Sequence, residues 1–353
     1  MNDKGPGKSF RRKLDLRHGR VDMSHGAGGR AMAELIAGIF RTAFANEWLN
    51  QGNDQACFAT PASGRMVIST DGYVVSPLFF PGGDIGSLAV HGTINDLAMA
   101  GARPLYLSAS FIIEEGFLLG DLKRIADSMG RASAAAGVPV VAGDTKVVER
   151  GKADGVFIAT SGVGAVPDGI RLSGDNAVPG DTVLLSGSLG DHGVAIMSCR
   201  ANLEFETAIR SDSAALHGLV ADLVAAAGAH LRLLRDPTRG GLAATLNELA
   251  QQSGVGFRID EAAIPVKPEV AAACELLGLD PLFVANEGKL VAVVAPEGAE
   301  ALLAAMRAHP LGREAAIIGS VVEDDQRFVQ MTTSFGGGRI VDWLSGEQLP
   351  RIC

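Results

Sequence analysis

The sequence has little cysteine, no long apolar run and no excess of basic charge, and each shortage closes off a class of function. Only four of its 353 residues are cysteine: Cys57, Cys199, Cys274 and Cys353. With no C-x-x-C pair and no histidine spacing of a zinc site, neither a disulfide scaffold nor a zinc module is expected; a reducing, cytoplasmic compartment is. No stretch reaches 18 apolar residues, so no membrane span is expected. The first twenty residues are polar and basic, without the apolar centre of a secretory signal. Lys and Arg total 31 against 40 Asp and Glu, a net charge of −9, opposite in sign to a nucleic-acid-binding surface. No G-x-x-x-x-G-K-S/T loop and no strand-linked G-x-G-x-x-G occur, which disfavours a P-loop NTPase and a Rossmann dehydrogenase. No short internal repeat is visible.

What is abundant is glycine: 45 residues, about 13% against a usual ~7%. The glycines sit between apolar runs, where they serve turns or let backbone approach a ligand closely. Hydrophobic residues at 47% suffice for a packed core, and 353 residues fit two domains of roughly 100–200 each. Apolar patterning and turn signals predict strands over Met66–Thr70, Leu105–Ile113, Val138–Ala142 and Gly155–Val166, with helices over Ile85–Ala100 and Asp121–Ala136. The first strand is expected to stop at the Asp71-Gly72 turn pair and the third at Gly143-Asp144-Thr145. Turn-rich residues Pro167–Pro179 put a domain boundary near residue 170, giving domains over 21–169 and 170–335. The second reads as strands over Thr182–Ser186, Gly256–Asp260, Leu290–Ala295 and Ala316–Val321. Its helices are expected over Ser213–Ala227, Gly240–Gln252 and Gly298–Ala308. The basic arm, residues 1–20, is expected to be solvated, and residues 336–353, after the glycine run, to form a tail rather than a core element.

Glycine–aspartate junctions follow one another in the first half: His25-Gly26-Ala27-Gly28-Gly29, Ser69-Thr70-Asp71-Gly72, Gly82-Gly83-Asp84 and Gly143-Asp144-Thr145, with Asn95-Asp96 late in a helix. Any one alone is an ordinary turn; together they suit a nucleotide whose Mg²⁺ takes a few carboxylates and whose phosphates lie against bare backbone. Asp84, His91 and Asn95 share one helix face. In the second half, Asp236-Pro237 ahead of Thr238-Arg239-Gly240-Gly241 reads as N-cap and first position of a helix, with amides open to an anion. Glu287, in Asn286-Glu287-Gly288-Lys289, is either a strand-end turn residue or a buried functional acid. Cys57, Cys199 and Cys274 sit in apolar contexts and read as structural. Cys353 ends the chain, 15 residues after Gly338. Extended, that arm reaches about 50 Å, enough for a thiol to be loaded at one site and processed at another.

The order HGAGG, STDGYVVSPLFFPGGDIG, HGTINDLAMAGARP, VAGDTKVVERG, DPTRGGLA, NEGK and terminal PRIC, from about Val21 to Cys353, resembles the hydrogenase maturation factor HypE family, the carbamoyl dehydratases. These lie within the wider superfamily of aminoimidazole ribonucleotide synthetase, selenophosphate synthetase and thiamine-monophosphate kinase. The resemblance implies an α/β (α+β) chain of two PurM-like domains, the first forming a dimer sheet and ATP cleft, with a flexible C-terminal tail. It implies ATP-dependent dehydration of an S-carbamoyl group on Cys353 to a thiocyanate, supplying cyanide to the iron of nickel–iron hydrogenase. It also implies a homodimer with ATP between protomers, loading by the carbamoyltransferase HypF, and delivery to a HypC–HypD complex. By matching motifs, Asp71, Asp96 and Asp144 are the expected Mg²⁺ ligands, with Asp84 a further candidate. His25, Gly26, Gly28, Gly29, Asp84, Asn95, Gly143 and Thr145 are expected around the nucleotide, the His25–Gly29 loop acting as a lid. The base is expected to be Lys146 or Glu287, more weakly His91.

Two other readings stay open. One is a small-molecule kinase or synthetase like selenophosphate synthetase, against which stands the missing thiol in Ser24–Gly29. The other is a non-catalytic ATP-binding scaffold, against which stand the retained Asp71, Asp96, Asp144, Lys146 and Glu287.

Overall fold

Helix α1 (Ile85–Met99) is apolar on nearly every side, and such a helix must be covered all round. Twelve of its fifteen residues are buried, which makes it the hub of the structure. In the computed structural model, residues 14–51, 55–201, 209–343 and 349–353 are described. One flank of α1 packs on a four-stranded sheet of β1 (Arg65–Tyr73), β2 (Arg103–Glu114), β3 (Val140–Val148) and β4 (Val156–Val166), in the order β1-β4-β2-β3. Only β2 and β3 run parallel. At Gly92 helix and sheet come so close that an added Cβ would lie 2.3 Å from the Tyr73 hydroxyl. Helix α2 (Leu119–Ala136) lies beside α1. Among the described residues the other face of the sheet is largely bare: Met66, Ile68 and Ile112 are 48%, 73% and 43% exposed, and the Trp48 and Phe58 rings lie against Tyr106.

The second domain is a seven-stranded sheet of β5 (Thr182–Leu185), β6 (Leu231–Arg235), β7 (Gly256–Asp260), β8 (Val291–Val294), β9 (Ala316–Val322), β10 (Val329–Thr332) and β11 (Gly338–Ile340). Its order is β11-β10-β7-β9-β5-β8-β6, antiparallel except where β10 meets β7. Strand β8, next to the edge strand β6, is buried along its whole length because both faces are covered. Val291 and Val293 meet Leu242 and Leu246 of helix α5 (Gly241–Ser253). Ala292 and Val294, pointing the other way, meet α4 (His217–Ala227) and α7 (Pro296–Ala308). Helices α3 (Asp191–Arg200) and α6 (Pro268–Leu277) pair through Val194, Ala195, Val270 and Ala273. No helix among the described residues is long and apolar enough to cross a membrane.

Three expectations are corrected. Strand β3 does not stop at Gly143-Asp144-Thr145, because these residues pair with Ala109, Ser110 and Phe111 of β2. Likewise β1 runs through Asp71-Gly72, which pair with Thr160 and Ala159 of β4. In both, a neighbouring ladder overrides local turn preference. Residues past Gly337 are not all tail, since β11 completes the second sheet and Val341 is buried. Of the basic arm, residues 1–13 lie outside the described residues; Leu14 packs on the first core and Arg20 donates to the Gly116 carbonyl at 2.6 Å.

The Gly92 contact gives a stability prediction. Gly92→Ala is expected to cost about 1–3 kcal/mol by overpacking, read as a lower urea midpoint at unchanged slope.

Candidate active site

Residues 349–353 enter the seam between the domains, and the backbone there is held at each step. The Pro350 and Arg351 carbonyls accept from the Arg200 guanidinium at 2.7 and 2.6 Å. The Ile352 carbonyl accepts from His192 Nε2 at 2.9 Å, and the terminal carboxylate of Cys353 from the Val74 amide at 3.1 Å. Donating from Nε2 leaves Nδ1 of a neutral His192 to accept from the Ser211 hydroxyl at 2.8 Å. The Ile352 side chain is 3% exposed and belongs to the first domain's core. The Arg351 side chain donates to the Val74 carbonyl at 2.8 Å and pairs with Asp154.

This docking brings the Cys353 thiol within electrostatic reach of Glu287, Arg239 and Asp71. Burial pushes its pKa up to about 12; Glu287 and Asp71 add to the rise and Arg239 opposes it. Glu287 is 3% exposed, and its Oε1 has no hydrogen-bond partner among the described residues. Burial, then Asp236, Asp212, Asp71 and Asp96, raise its pKa well above the ordinary value. Asp236 is pushed up to about 7, by burial first and then chiefly by Asp96. Asp96, hydrogen-bonded to Ser69 at 2.7 Å, is raised by burial and by Asp71. These carboxylates crowd one cleft without enough positive charge to balance them.

Asp212 is the contrast. Burial would raise it, yet Lys289, His192 and the Glu287 amide hold its pKa below the ordinary value. It accepts from the amides of Glu287 and Gly288 at 3.1 and 3.2 Å and from Lys289 at 3.2 Å, and so fixes the segment that carries Glu287.

A separate cavity of about 730 Å³ opens beside β3, within the size range of ligand sites. Met32, Ile36, Phe40, Phe44 and Phe111 make its apolar wall, with Gly143, Asp144 and Thr145 on the β3 side. The His25–Gly29 loop reaches the same strand, where a Cβ on Gly26 would lie 2.9 Å from Val147. At Gly28 and Gly29 an added Cβ would meet nothing within 4 Å, so their backbone borders open space.

Comparison with known proteins accords with this architecture. The models of the N-terminal and C-terminal domains of AIR synthase related proteins match residues 52–166 and 178–332. The carbamoyl dehydratase HypE of Rhizobium leguminosarum bv. viciae is 76% identical over 346 residues, 98% of this chain and 99% of that protein. The chain belongs to the carbamoyl dehydratase HypE family. A crystal structure of the hydrogenase maturation protein HypE in complex with ATP is 50% identical, with a TM-score of 0.90 over 94% of this chain and 99% of that one. A HypE–HypF complex is similar at 49% identity and a TM-score of 0.77, over 90% of this chain and 100% of that one. The two domains are thus PurM-like, as in other HypE structures.

Within this chain the fold separates residues that the motifs group. Asp71, Thr160, Ala109 and Gly143 form one register row across the first sheet, three strand spacings, or about 14 Å, from end to end. Asp144 and Lys146 are therefore at the opposite edge from Asp71 and Asp96, paired with each other at 2.8 Å, and a single ligand set of Asp71, Asp96 and Asp144 cannot form within one chain. Asp84 caps α1, accepting from the Gly86 and Ser87 amides at 2.8 and 3.1 Å. Asn95 donates to the Ala214 and Glu287 carbonyls and accepts from the Leu216 amide, which makes it a strut between domains. The Asn95 side chain is therefore committed at both its amide nitrogen and its oxygen, whereas Asp84 spends only Oδ1 on the cap. His91 faces Ser213 at 3.0 Å; burial, aided by His217, lowers its pKa to about 4, so it is neutral. Cys57 is exposed rather than apolar in setting; Cys274 is buried.

Asp236 had been read as a helix cap. Instead α5 begins at Gly241 with Gly240 as its N-cap, and Asn286 binds the Pro237 carbonyl at 3.2 Å, leaving the Asp236 carboxyl in the acidic cleft. Arg200 and His192 gave no signal in the sequence, since neither sits in a recognisable motif.

Because folded Asp236 holds its proton to about 7, against an ordinary 3.8, its effect on stability worsens as pH rises between those values. Asp236→Asn is expected to stabilise the ligand-free protein at pH 8, on the order of 1–4 kcal/mol, and hardly at pH 4. Urea unfolding at both pH values measures this; equal effects at the two would refute it.

Proposed function

We propose that this chain dehydrates an S-carbamoyl group on its own Cys353 to a thiocyanate, with ATP, in the cytoplasmic maturation of nickel–iron hydrogenase. The observation that carries the reading is the delivery of a chain-end thiol into the interdomain cleft against a buried, unpartnered carboxyl. A thiol whose pKa is about 12 is a poor nucleophile, so the docked state suits a sulfur that already carries its carbamoyl group. Loading then belongs outside the cleft, by a HypF-type carbamoyltransferase, and delivery to a HypC–HypD acceptor follows the same exit.

In the reaction the carbamoyl carbon loses its oxygen and the nitrogen loses two protons, a net loss of water that leaves S–C≡N on the cysteine. ATP, when bound, supplies the phosphoryl group that makes the oxygen a leaving group. Glu287 is the group beside the sulfur suited to take a proton from the nitrogen, and its raised pKa makes it the stronger base once ionised. Arg239 faces the same sulfur and offsets negative charge there. Asp212 keeps Glu287 in place through the backbone.

The crowded carboxylates fit a divalent cation. Among the described residues no three His, Cys, Asp or Glu side chains make a ready ion cage. That agrees with Mg²⁺, which keeps waters and phosphate oxygens beside one or two carboxylates. One or two of Asp71, Asp96 and Asp236 would hold it beside waters and phosphate oxygens, easing the crowding in the cleft. The apolar cavity at β3 suits the nucleoside, with Gly28, Gly29, Gly143 and Thr145 toward the phosphates. A homodimer joined through the bare sheet face would bring the β3 edge of one chain to the β1 edge of the other, which answers the 14 Å separation within one chain (about three strand spacings).

After incubation with HypF, carbamoyl phosphate and ATP, mass spectrometry of the C-terminal peptide should show a carbamoyl adduct that loses one water. Cys353→Ala should show neither species while still binding ATP; a Cys353→Ala protein that still matured hydrogenase would sink the reading. Glu287→Gln should keep the carbamoyl adduct and slow water loss on the order of 10²–10⁴-fold. Ile68→Lys is expected to shift the protein to monomer in sedimentation and to weaken ATP binding.

A further inference from the structure

Helix α3 touches the tail at both of its ends. His192 is its second residue and Arg200 its last, about 12 Å apart along the axis, and together they hold the carbonyls of Pro350, Arg351 and Ile352. The Arg200 guanidinium is used on three sides: Nε donates to the Ser76 carbonyl of the first domain at 2.6 Å, while both terminal nitrogens donate to the tail. One side chain of the second domain thus joins the first domain and the tail. Among the described residues no carboxylate pairs with it. Its charge rests on carbonyl dipoles, and the like charge of Arg351 lies close enough to lower its pKa further than burial alone. Asp154, on the exposed loop before β4, pairs with Arg351 and offsets that repulsion.

We propose that Arg200 and His192 are positioning residues: a latch that holds the last four residues in one register with Cys353 in the acidic cleft. The inference rests on the reading of Cys353 as the carrier that must leave the cleft to be loaded. Recognition through carbonyls fixes position along the tail, and side chains fix which residue sits where. A slip of one residue would take Ile352 out of its core slot and Arg351 away from Asp154. Release is affordable because the tail's departure opens Arg200 to water, so that its donors are not left buried and bare.

The test uses the full-length chain without ATP or partner, treated with a maleimide, and the labelling of each cysteine followed by mass spectrometry. Exposed Cys57 is the internal standard and buried Cys274 reports the fold. In the unsubstituted protein Cys353 should label far more slowly than Cys57. Arg200→Ala should raise the Cys353 rate relative to Cys57 on the order of 10- to 100-fold, with Arg200→Lys intermediate. Asp154→Asn, on a loop whose side chain is exposed, should raise it several-fold without touching the fold. His192→Gln, which keeps a donor, should stay nearer the unsubstituted rate than His192→Leu. Unchanged ratios in Arg200→Ala and Asp154→Asn would overturn the latch. If Arg200→Ala also exposes Cys274, Arg200→Lys and Asp154→Asn decide, and unsubstituted ratios in both overturn it. With the HypF-loaded chain, Arg200→Ala should lower the rate of water loss while leaving the KM for ATP unchanged; a shift in that KM instead would mean a general structural role. Labelling needs no dehydration, so a latch that behaves as expected in a chain that makes no thiocyanate would leave this inference standing and remove the functional one.

Discussion

A polypeptide end drawn into a protein interior brings its peptide groups with it, and each buried carbonyl left bare costs about 1–3 kcal/mol. Here three successive carbonyls, from Pro350 to Ile352, and the terminal carboxylate of Cys353 are answered by Arg200, His192 and the Val74 amide. These donors come from both domains, so the tail can dock only when the domains stand at one spacing. Much of the remaining structure serves that spacing. Helix α1 is buried against the first sheet and against the second domain, Asn95 bonds three backbone groups of the second domain, and the Ser211–Ser213 segment links His192, Glu287 and His91.

Two kinds of buried acid sit within this frame. Asp212 has its charge met by Lys289 and by amides, and its pKa is held down; it is a fixture. Asp96, Asp236 and Glu287 push one another up, and nothing comparable offsets them. An arrangement so costly to the ligand-free fold is the kind found where function, rather than stability, has set the placement of charge. The same cleft keeps the docked cysteine protonated, which separates the chemistry of loading from the chemistry of dehydration.

The sheet register divides the work further. The apolar cavity lies along β3, while the acids and the tail lie by β1, with the width of the sheet between them. The face of that sheet turned away from α1 carries exposed apolar side chains at Met66, Ile68 and Ile112.

Much of this was legible in the chain itself. Periodicity located α1, β2, α2, β4 and most of the second sheet, because apolar burial imposes its repeat on the residues. The terminal cysteine and the motif order named the family, since unusual residues in a fixed order survive without any knowledge of the fold. Local preference misled where long-range pairing outweighed it: β1 and β3 run straight through aspartate–glycine pairs held by neighbouring strands, and Asp236 is no cap because Asn286 claims the backbone beside it. Helix α3 carries no strong pattern, so Arg200 and His192 were invisible until its packing placed them. The sequence by itself determined the elements, the family and the thiol. Only the tertiary structure decided which acids share a cleft, which are fixtures, and what holds the tail. Those outcomes depend on distances between residues far apart in the chain, and on burial that no single segment can set.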